Sequence, residues 1–368
     1  MDETRSARNG CRPGIDADRQ AVANGLPNRQ SQSMESHRVC RICASTGPHR
    51  RFVVREMMFG TREPFDYFEC SNCQTLQIVD VPADLARHYP RNYLGSGLSG
   101  DGPAVELASR RLTTFLKHQR FAYVLHGRNL IGRLLSKWRA PHFPYSLDWL
   151  RHMRARFESR ILDVGCGPGH LLQALQRQGF AGVLGQDKFQ QEFVPGVPVE
   201  RKPLEELDGS FDVIMLHHSF EHMPDPVPTL RALKRLCDPG GTILLRIPVA
   251  GCEAWKEYGV NWYQIDAPRH LVIPSERGLR LVAQQLGLDI ARVEYDSNET
   301  QFGCSEQYAQ DVPLRDARSF YFDPHTDLFT DEQKAVFRSR AAQANAAGKG
   351  DQACFYLTHA GRSGIRNT

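Results

Sequence analysis

A glycine-rich turn at residues 163–169 constrains the fold of this chain more than any other feature. The apolar run at residues 161–164 predicts a β-strand, and the leucines from residue 171 onward predict a helix directly after the turn. Between them lie Gly165, Gly167 and Gly169. Glycine allows positive φ angles and lets a ligand lie against the backbone, while the first N–H groups of a helix have no partner within it. The stretch therefore predicts a strand, a tight turn and a helix that together bind a polar ligand.

The spacing of the glycines decides between two classes of ligand. A dinucleotide fingerprint is G-x-G-x-x-G, whereas this chain has G-x-G-x-G. Asp163 precedes the first glycine by two residues, where a carboxylate would repel a pyrophosphate but could hold a cationic amino group. The run D-V-G-C-G-P-G resembles the first motif of class I S-adenosylmethionine-dependent methyltransferases. The resemblance implies that S-adenosylmethionine contacts Asp163, Gly165, Cys166, Gly167 and Gly169. The alternative is an ordinary glycine-rich turn.

Composition places the chain among globular proteins. It has 368 residues, of which 41% are hydrophobic and 24% charged, and this length allows two domains or one domain with additions. We find no apolar run of about 18 residues and no apolar segment of a secretion signal in residues 1–36. We therefore expect no membrane span, and we expect the protein in the cytoplasm. Residues 1–36 have few large apolar side chains, which predicts a disordered arm.

Positive charge is concentrated between Leu107 and Arg160. Twelve lysines and arginines stand there against two acidic residues, although the net charge of the chain is only +4. This basic belt favours an anionic neighbour, namely a phosphorylated substrate, RNA or the headgroups of a membrane. It is equally consistent with a solvated helical face, since apolar residues in the same region recur at helical spacing.

The cysteines predict a metal site near the N-terminus. Ten cysteines without an export signal favour metal binding or burial over disulfides. Two C-x-x-C pairs lie in residues 37–80, namely Cys40 with Cys43 and Cys70 with Cys73. Each pair sets two thiolates on one side of a turn, and two pairs complete the tetrahedral shell of a structural zinc ion. A redox dithiol would need only one pair, so we predict a zinc ribbon.

A helical linker or cap is predicted for residues 81–158. The cysteine pairs are followed by a proline, a short helix and tyrosines. This order resembles that of bacterial methyltransferases with an N-terminal zinc ribbon, several of which methylate nucleotide-linked sugars. The resemblance implies a substrate contact at Tyr93. The tyrosine could equally be a core residue.

Two later strands supply the rest of the predicted donor site. The strand at residues 182–186 ends at Asp187, 18 residues beyond Gly169, close to the distance at which a second strand delivers a carboxylate to ribose hydroxyls. The alternative for Asp187 is a cap at the strand end. The resemblance implies that Leu204, in the third strand and turn at residues 199–207, contacts the adenine ring.

A histidine cluster follows the fourth strand at residues 211–216. Ligands of an open parallel sheet lie beyond the carboxyl ends of its strands, so these side chains should face the methyl group. We expect His217 near the cofactor and His218 or His222 as a general base, because imidazole titrates near neutrality. A metal is a weaker alternative, since only His218 and His222 stand four residues apart. The run E-H-M-P-D-P from Glu221 resembles the ubiquinone O-methyltransferase group, in which Glu221 and His222 act in catalysis or position the loop.

An aromatic and charged segment, residues 255–271, follows the fifth strand. Aromatic walls such as Trp262 suit a sugar or ring, Arg269 suits an anionic group, and His270 suits a proton. The run D-A-P-R-H-L resembles an element of the same methyltransferases. The resemblance implies substrate contacts at Trp262, Asp266 and Arg269 and a catalytic role for His270, with packing as the alternative.

The remaining pattern completes an α/β fold. A helix at residues 275–286, a strand at 290–295 and a final strand at 353–358 follow, with a polar insertion at about 297–350 that contains a helix at 331–346. We predict a Rossmann-like seven-stranded methyltransferase sheet with an antiparallel last strand at residues 159–360, preceded by the small zinc ribbon.

The predicted function is methyl transfer to a small acceptor, foremost a sugar or glycan-pathway intermediate, with the basic belt near its phosphates. An RNA methyltransferase that uses the ribbon and the basic helices is less favoured, because the ribbon has no aromatic stacking motif. The third hypothesis is a non-catalytic module that keeps the fold as a partner-binding scaffold. The glycines and Asp187 argue against it.

Overall fold

A computed structural model describes residues 38–90, 110–127, 129–138 and 146–361. They belong to one compact unit, Met34–Thr368. The predicted disordered arm and Tyr93 lie outside the described residues.

Eleven strands form two sheets within the described residues. The strands are β1 (Arg50–Arg55), β2 (Pro64–Glu69), β3 (Leu76–Ile78), β4 (Ile161–Val164), β5 (Val183–Gln186), β6 (Val199–Glu200), β7 (Phe211–His217), β8 (Cys237–Pro248), β9 (Val272–Ile273), β10 (Leu288–Tyr295) and β11 (Gln352–His359).

The larger sheet has seven strands in the order β10-β11-β8-β7-β4-β5-β6. Neighbours from β8 to β6 pair in parallel, whereas β11 runs antiparallel to both β8 and β10. This arrangement confirms the predicted Rossmann-like sheet with an antiparallel last strand in the chain. The carboxyl ends of β4, β5 and β7 meet at one edge, where the predicted site residues follow.

Both faces of this sheet are buried. Successive residues of β7, such as Ile214 and Met215, pack into different hydrophobic clusters, as expected when side chains alternate between the two faces of a strand. The helices of the described residues are α1 (Arg110–His126), α2 (Leu130–Trp138), α3 (Leu147–His152), α4 (His170–Gln178), α5 (Pro226–Leu236), α6 (Glu253–Tyr258), α7 (Glu276–Gln285), α8 (Thr300–Ala309) and α9 (Asp331–Ala346). Short 3-10 turns are Leu85–His88, Leu204–Glu206, Phe220–His222, Gly259–Asn261 and Tyr263–Ile265.

Most of these helices agree with the sequence prediction, and α9 has the predicted bounds. Helix α8 was not predicted. Its buried face carries Gln301, Ser305 and Gln307, each fully covered, so the apolar periodicity that marks a helix in a sequence is missing there. No helix in the described part of the chain has both the length and the apolar composition needed to cross a membrane.

The smaller sheet joins the ribbon to a segment about 200 residues later in the chain. Its order is β1-β2-β3-β9, and β3 pairs with β9 through Leu76 with Ile273 and Gln77 with Val272. Side chains from the ribbon, such as Ile42 and Tyr67, share one hydrophobic cluster with strands of the larger sheet. The ribbon therefore packs as part of the main body, and the predicted domain boundaries stay a prediction.

Candidate functional site

The glycine-rich turn joins β4 to α4. Gly165, Gly167 and Gly169 have φ angles of 70°, 53° and 91°, a left-handed region that other residues rarely adopt. The Gly165 N–H donates to the Gln186 carbonyl at 2.7 Å, and a Cβ on Gly165 would lie 2.5 Å from Ser219 Cβ. Gly169 is the N-cap residue of α4 and provides no side-chain cap. The first N–H groups of α4 are therefore available to a ligand.

Two carboxylates flank this turn. Asp163 in β4 is buried, with 4% of its surface exposed. Asp187, after β5, accepts hydrogen bonds from the N–H of Gly167 at 3.0 Å and from those of Phe189 and Gln190 at 2.9 Å. Burial, followed by the charge of Asp187, raises the pKa of Asp163 to about 7. A cationic group bound beside Asp163 would favour its ionised form.

The other predicted cofactor residues are largely covered. Leu204 is buried at the start of a 3-10 turn, and the sulfur of half-buried Cys166 would lie 2.6 Å from a Cβ on Gly185. His217 ends β7, and its ring lies 4.3 Å from the Trp149 ring. Both His217 nitrogens are buried and have no partner among the described residues. Burial lowers the pKa of His217 to about 3, so its ring is neutral.

His218 lies just beyond this strand, with both ring nitrogens occupied. Its Nε2 accepts from Arg246 Nη1 at 2.9 Å, because a guanidinium can only donate. Its Nδ1 therefore carries the hydrogen and donates to Glu221 Oε1 at 3.3 Å. Arg246 is itself held by Asp296, with an Nε to Oδ2 distance of 2.6 Å. In this geometry His218 has no lone pair to take a proton from a substrate.

His222 and His270 differ from His218 in this respect. His222 Nδ1 lies 2.9 Å from the Arg269 carbonyl and 3.0 Å from the Tyr89 hydroxyl, and His270 Nδ1 lies 2.7 Å from the Gln264 carbonyl. A carbonyl oxygen only accepts, so both Nδ1 atoms carry hydrogen and both Nε2 atoms keep a lone pair. Burial, followed by the neighbouring His222, lowers the pKa of His270 to about 4.

Both imidazoles lie close to the buried carboxylate of Glu221. One ligand atom from each of Glu221, His222 and His270 lies within 4.8 Å of the other two. His270 Nε2 is 3.9 Å from an oxygen of Glu221 and from one of Asp266. Glu221 Oε2 has no hydrogen-bond partner in the described part of the chain. Burial acts to raise the pKa of Glu221, but the bond from His218 and the nearby imidazoles outweigh it and lower the pKa to about 2.

Glu221, His222 and His270 thus bring a carboxylate and two imidazoles within reach of one small group. Such a set attracts a hydroxyl group, a proton or a small cation. His222 is the least buried of the three residues, so it is the one best reached from outside.

The predicted substrate residues Asp266 and Arg269 bind each other. Arg269 is fully buried, with Nε 3.0 Å from Asp266 Oδ2 and Nη2 2.9 Å from Glu56 Oε1. Burial alone would lower the pKa of Arg269, but the two carboxylates raise it above its usual value. Its charge is already balanced, so the structure gives Arg269 and Asp266 a structural role in place of the expected substrate contact.

Trp262 is likewise a core residue. Only 1% of its surface is exposed, and its indole N–H donates to Asp351 Oδ2 at 3.1 Å. The expected aromatic wall for a substrate is therefore not formed by this side chain.

The four predicted zinc ligands come together in the ribbon. Their sulfurs all lie within 4.8 Å of one another, with Cys40 to Cys73 and Cys43 to Cys70 both at 3.6 Å. Tetrahedral zinc with Zn–S bonds of about 2.3 Å needs sulfurs about 3.8 Å apart. Gln77 Nε2 donates to Cys40 Sγ at 3.0 Å, which suits a thiolate. The donor set fits a zinc ion.

Comparison with known proteins identifies the larger sheet and its surroundings. A sequence model of the methyltransferase domain family matches residues 117–293. Residues 117–293 are thus similar to a methyltransferase domain. The matched stretch includes the glycine-rich turn, Asp187 and the histidine cluster.

Curated relatives match a part of the chain. The ubiquinone biosynthesis O-methyltransferase of Pseudomonas aeruginosa is 32% identical over 116 residues, which cover 28% of this chain and 50% of the relative. The enzyme of the same name from Acinetobacter baumannii is 34% identical over 116 residues, covering 27% and 48%. The chain thus spans about half the length of the curated relatives it matches. A solved cyclopropane synthase from Mycobacterium tuberculosis is 16% identical, with a TM-score of 0.37, and covers 57% of this chain and 81% of that chain.

Three further residues, which were not predicted as site residues, hold predicted site residues in place. Tyr89 bonds to His222, Arg246 to His218 and Glu56 to Arg269. Glu56 and Arg269 are 213 residues apart, and no local pattern marks such a pair. Arg246 could have been found, since an arginine near the carboxyl end of a buried strand is unusual and lies at the edge where ligands bind.

Proposed function

We propose that this protein transfers a methyl group from S-adenosylmethionine to a small acceptor. The observation that carries the proposal is the combination, at one edge of a methyltransferase sheet, of a glycine turn flanked by Asp163 and Asp187 with two imidazole lone pairs. The bound donor supplies an electrophilic methyl group on a sulfonium. The chain's own residues then have to hold the donor, orient the acceptor and accept its proton.

Donor binding is assigned to the turn and its two carboxylates. Asp163 pairs with the cationic amino group, which explains why a buried carboxyl is tolerated there, and Asp187 receives the ribose hydroxyls. The backbone N–H groups of Gly167 and of the first turn of α4 border the same space. Leu204 and His217 supply apolar and neutral surfaces beside it.

Proton removal is assigned to His222. Its Nε2 has a free lone pair in the favoured tautomer, whereas both nitrogens of His218 are engaged. Glu221 stays ionised and stabilises the imidazolium that forms when His222 takes a proton. His270, with a lowered pKa, remains neutral and can accept a hydrogen bond from the acceptor. His218 and Arg246 are positioning residues that hold Glu221.

The acceptor is a hydroxyl or an acidic C–H of a small molecule, and we propose a sugar or glycan-pathway intermediate. The phosphates of such a substrate would suit the basic belt. A phenolic hydroxyl is the second candidate, favoured by the names of the curated relatives. We further propose that Cys40, Cys43, Cys70 and Cys73 bind a structural zinc ion that shapes the ribbon.

The first experiment measures methyl transfer from labelled S-adenosylmethionine to a panel of nucleotide sugars, phenols and RNA. We expect transfer to one small-molecule class. Transfer to RNA alone would replace the proposed acceptor. Tight donor binding by calorimetry without transfer to any member would favour a non-catalytic module.

The second experiment compares His222→Asn with His325→Asn. His325 is an exposed histidine remote from the cluster in sequence, so it serves as the matched control. Loss of a general base slows turnover by about a hundredfold or more, whereas donor affinity should be unchanged in both variants. Equal turnover of His222→Asn and wild type would exclude His222 as the base.

A further inference from the structure

Helix α2 packs against α1 through the side that carries Gly132. Gly132 is buried, and a Cβ there would lie 2.1 Å from the Gln119 carbonyl oxygen and 2.5 Å from Tyr123 Cβ. The small residue therefore allows close approach of the two helices. Asn129 precedes α2 and accepts from the Gly132 N–H at 2.9 Å.

The apolar side of α2 faces outward as a result. Leu130, Ile131 and Leu134 have 82%, 51% and 61% of their surfaces exposed. Leu130 and Leu134 are four residues apart and lie side by side on the helix, and Ile131 extends the same face. Apolar residues scattered singly on a surface need no explanation, but a contiguous group marks an interaction site.

Positive charge borders this apolar face. Arg133 and Lys137 are exposed and follow Leu130 and Leu134 by three residues each, so they flank the leucines on the helix. Helices α1 and α2 contain no acidic residue. The surface thus combines aliphatic side chains with cations alone.

The hairpin of α1 and α2 is fixed to the methyltransferase domain. Phe121 of α1 is fully buried and packs against the rings of Phe157 and Phe180. Leu125 is buried in the same cluster, which also contains Leu172 of α4. The apolar face of α2 is therefore presented on a hairpin that is anchored through α1.

We propose that the outward face of α2 docks on a membrane surface that contains anionic phospholipids. Aliphatic side chains next to lysine and arginine are the composition of helices that lie in the plane of a bilayer, and each cation near an anionic surface adds to the attraction. The helix lies on the bilayer and does not cross it. The inference is independent of the methyl acceptor and of activity.

Other occupants fit the face less well. In a two-fold dimer the same patch meets itself, which would bring Arg133 and Lys137 against their own copies without an acidic residue to balance them. RNA would use the cations but gains nothing from three exposed aliphatic side chains, since bases stack on aromatic rings. A bilayer with anionic headgroups satisfies both features at once.

The test is sedimentation of the full chain with vesicles of phosphatidylcholine alone or mixed with phosphatidylglycerol. We expect binding to the mixed vesicles and much weaker binding to phosphatidylcholine. The double variant Leu130→Gln with Leu134→Gln and the double variant Arg133→Gln with Lys137→Gln should each lower the partition coefficient about tenfold or more.

A matched control is available on α9, where Val336 and Arg338 are also exposed. Val336→Gln with Arg338→Gln should bind vesicles as wild type does. All exchanged positions are exposed, so the melting temperatures should stay alike. Hydrogen exchange of wild type provides a second measurement without mutation, with slower exchange of residues 130–138 on mixed vesicles.

Three outcomes would overturn the proposal. The first is absence of binding to the mixed vesicles. The second is binding that the leucine variant leaves unchanged, which would indicate a purely electrostatic contact elsewhere. The third is a dimer in sedimentation velocity that the leucine variant abolishes, with no vesicle binding by the wild type.

Discussion

Arg269→Met tests the view that the loop before β9 is held by a buried charge network. Arg269 is fully buried, and Glu56 and Asp266 are almost as well covered, with 1% and 9% of their side chains exposed. Methionine keeps much of the volume but removes the cation, and two buried carboxylates then lack their partner. Breaking a buried pair in this way costs about 3–5 kcal/mol, a large part of a typical stability of about 5–15 kcal/mol.

The loss of stability in Arg269→Met should depend on pH. Arg269 overcomes the effect of burial and holds the pKa of Asp266 below its usual value. A depressed carboxyl pKa contributes stability that is present above the unfolded pKa and is lost as pH falls through the folded pKa. In Arg269→Met burial is the largest remaining influence on Asp266, ahead of the nearby His270 and His222, and it raises the pKa of the carboxyl, which can then take up a proton. The destabilisation should therefore be largest at neutral pH and should shrink as pH falls toward 5.

The assay is urea unfolding at both ends of this pH range, with Arg280→Met as the matched control. Arg280 pairs with Glu276 on the surface of α7, with 50% and 34% of the two side chains exposed. Such a pair contributes about 0.3–0.5 kcal/mol. A loss in Arg269→Met no larger than that in Arg280→Met, or a loss that is the same at both pH values, would refute the reasoning.

Three further predictions concern the donor turn and the ribbon. Gly165→Ala should unfold more readily and bind the donor less well than Gly127→Ala. Both glycines have φ near 70°, but only a Cβ added at Gly165 would meet a neighbouring side chain, at 2.5 Å. Equal melting temperatures of the two variants would contradict this. The pKa of Asp163 is raised to about 7. If its ionised form holds the amino group of the donor, as proposed, donor affinity measured by calorimetry should rise about tenfold from pH 6 to 8, and Asp163→Asn should lack this rise. Removal of zinc by a chelator should lower the melting temperature, since structural zinc stabilises the folded state, and added zinc should restore it.

The parts of the fold that follow from local pattern were predicted correctly. The glycine turn, the buried strand β7 and helix α9 can each be recognised from a short stretch of sequence. The signals are glycine spacing, an apolar run and helical periodicity. Helix α8 does not, because glutamine and serine occupy its buried face. The pairing of β9 with β3 joins residues about 200 positions apart, which no window can detect.

The candidate site shows the same division at the level of single side chains. The segment with Trp262 and Arg269 has the composition of a substrate site, since aromatic and charged residues occur together there. Their partners, Asp351 and Glu56, lie far away in sequence. Only the three-dimensional structure shows that these side chains already have buried hydrogen-bond partners. It also shows that both ring nitrogens of His218 are engaged, whereas His222 keeps a lone pair that can accept a proton.

Residues of the ribbon position His222 and His270 more directly than they position the donor turn. Glu56 holds Arg269, whose carbonyl orients His222, and the Tyr67 hydroxyl donates to the His270 carbonyl at 2.8 Å. The donor turn, in contrast, is held by β5 and by Ser219. If zinc shapes the ribbon, its loss should therefore displace the two imidazoles before it disturbs the donor site. Methyl transfer would then fail at a zinc occupancy at which donor affinity is still intact, a separation expected only if the ribbon supports the acceptor side of the site.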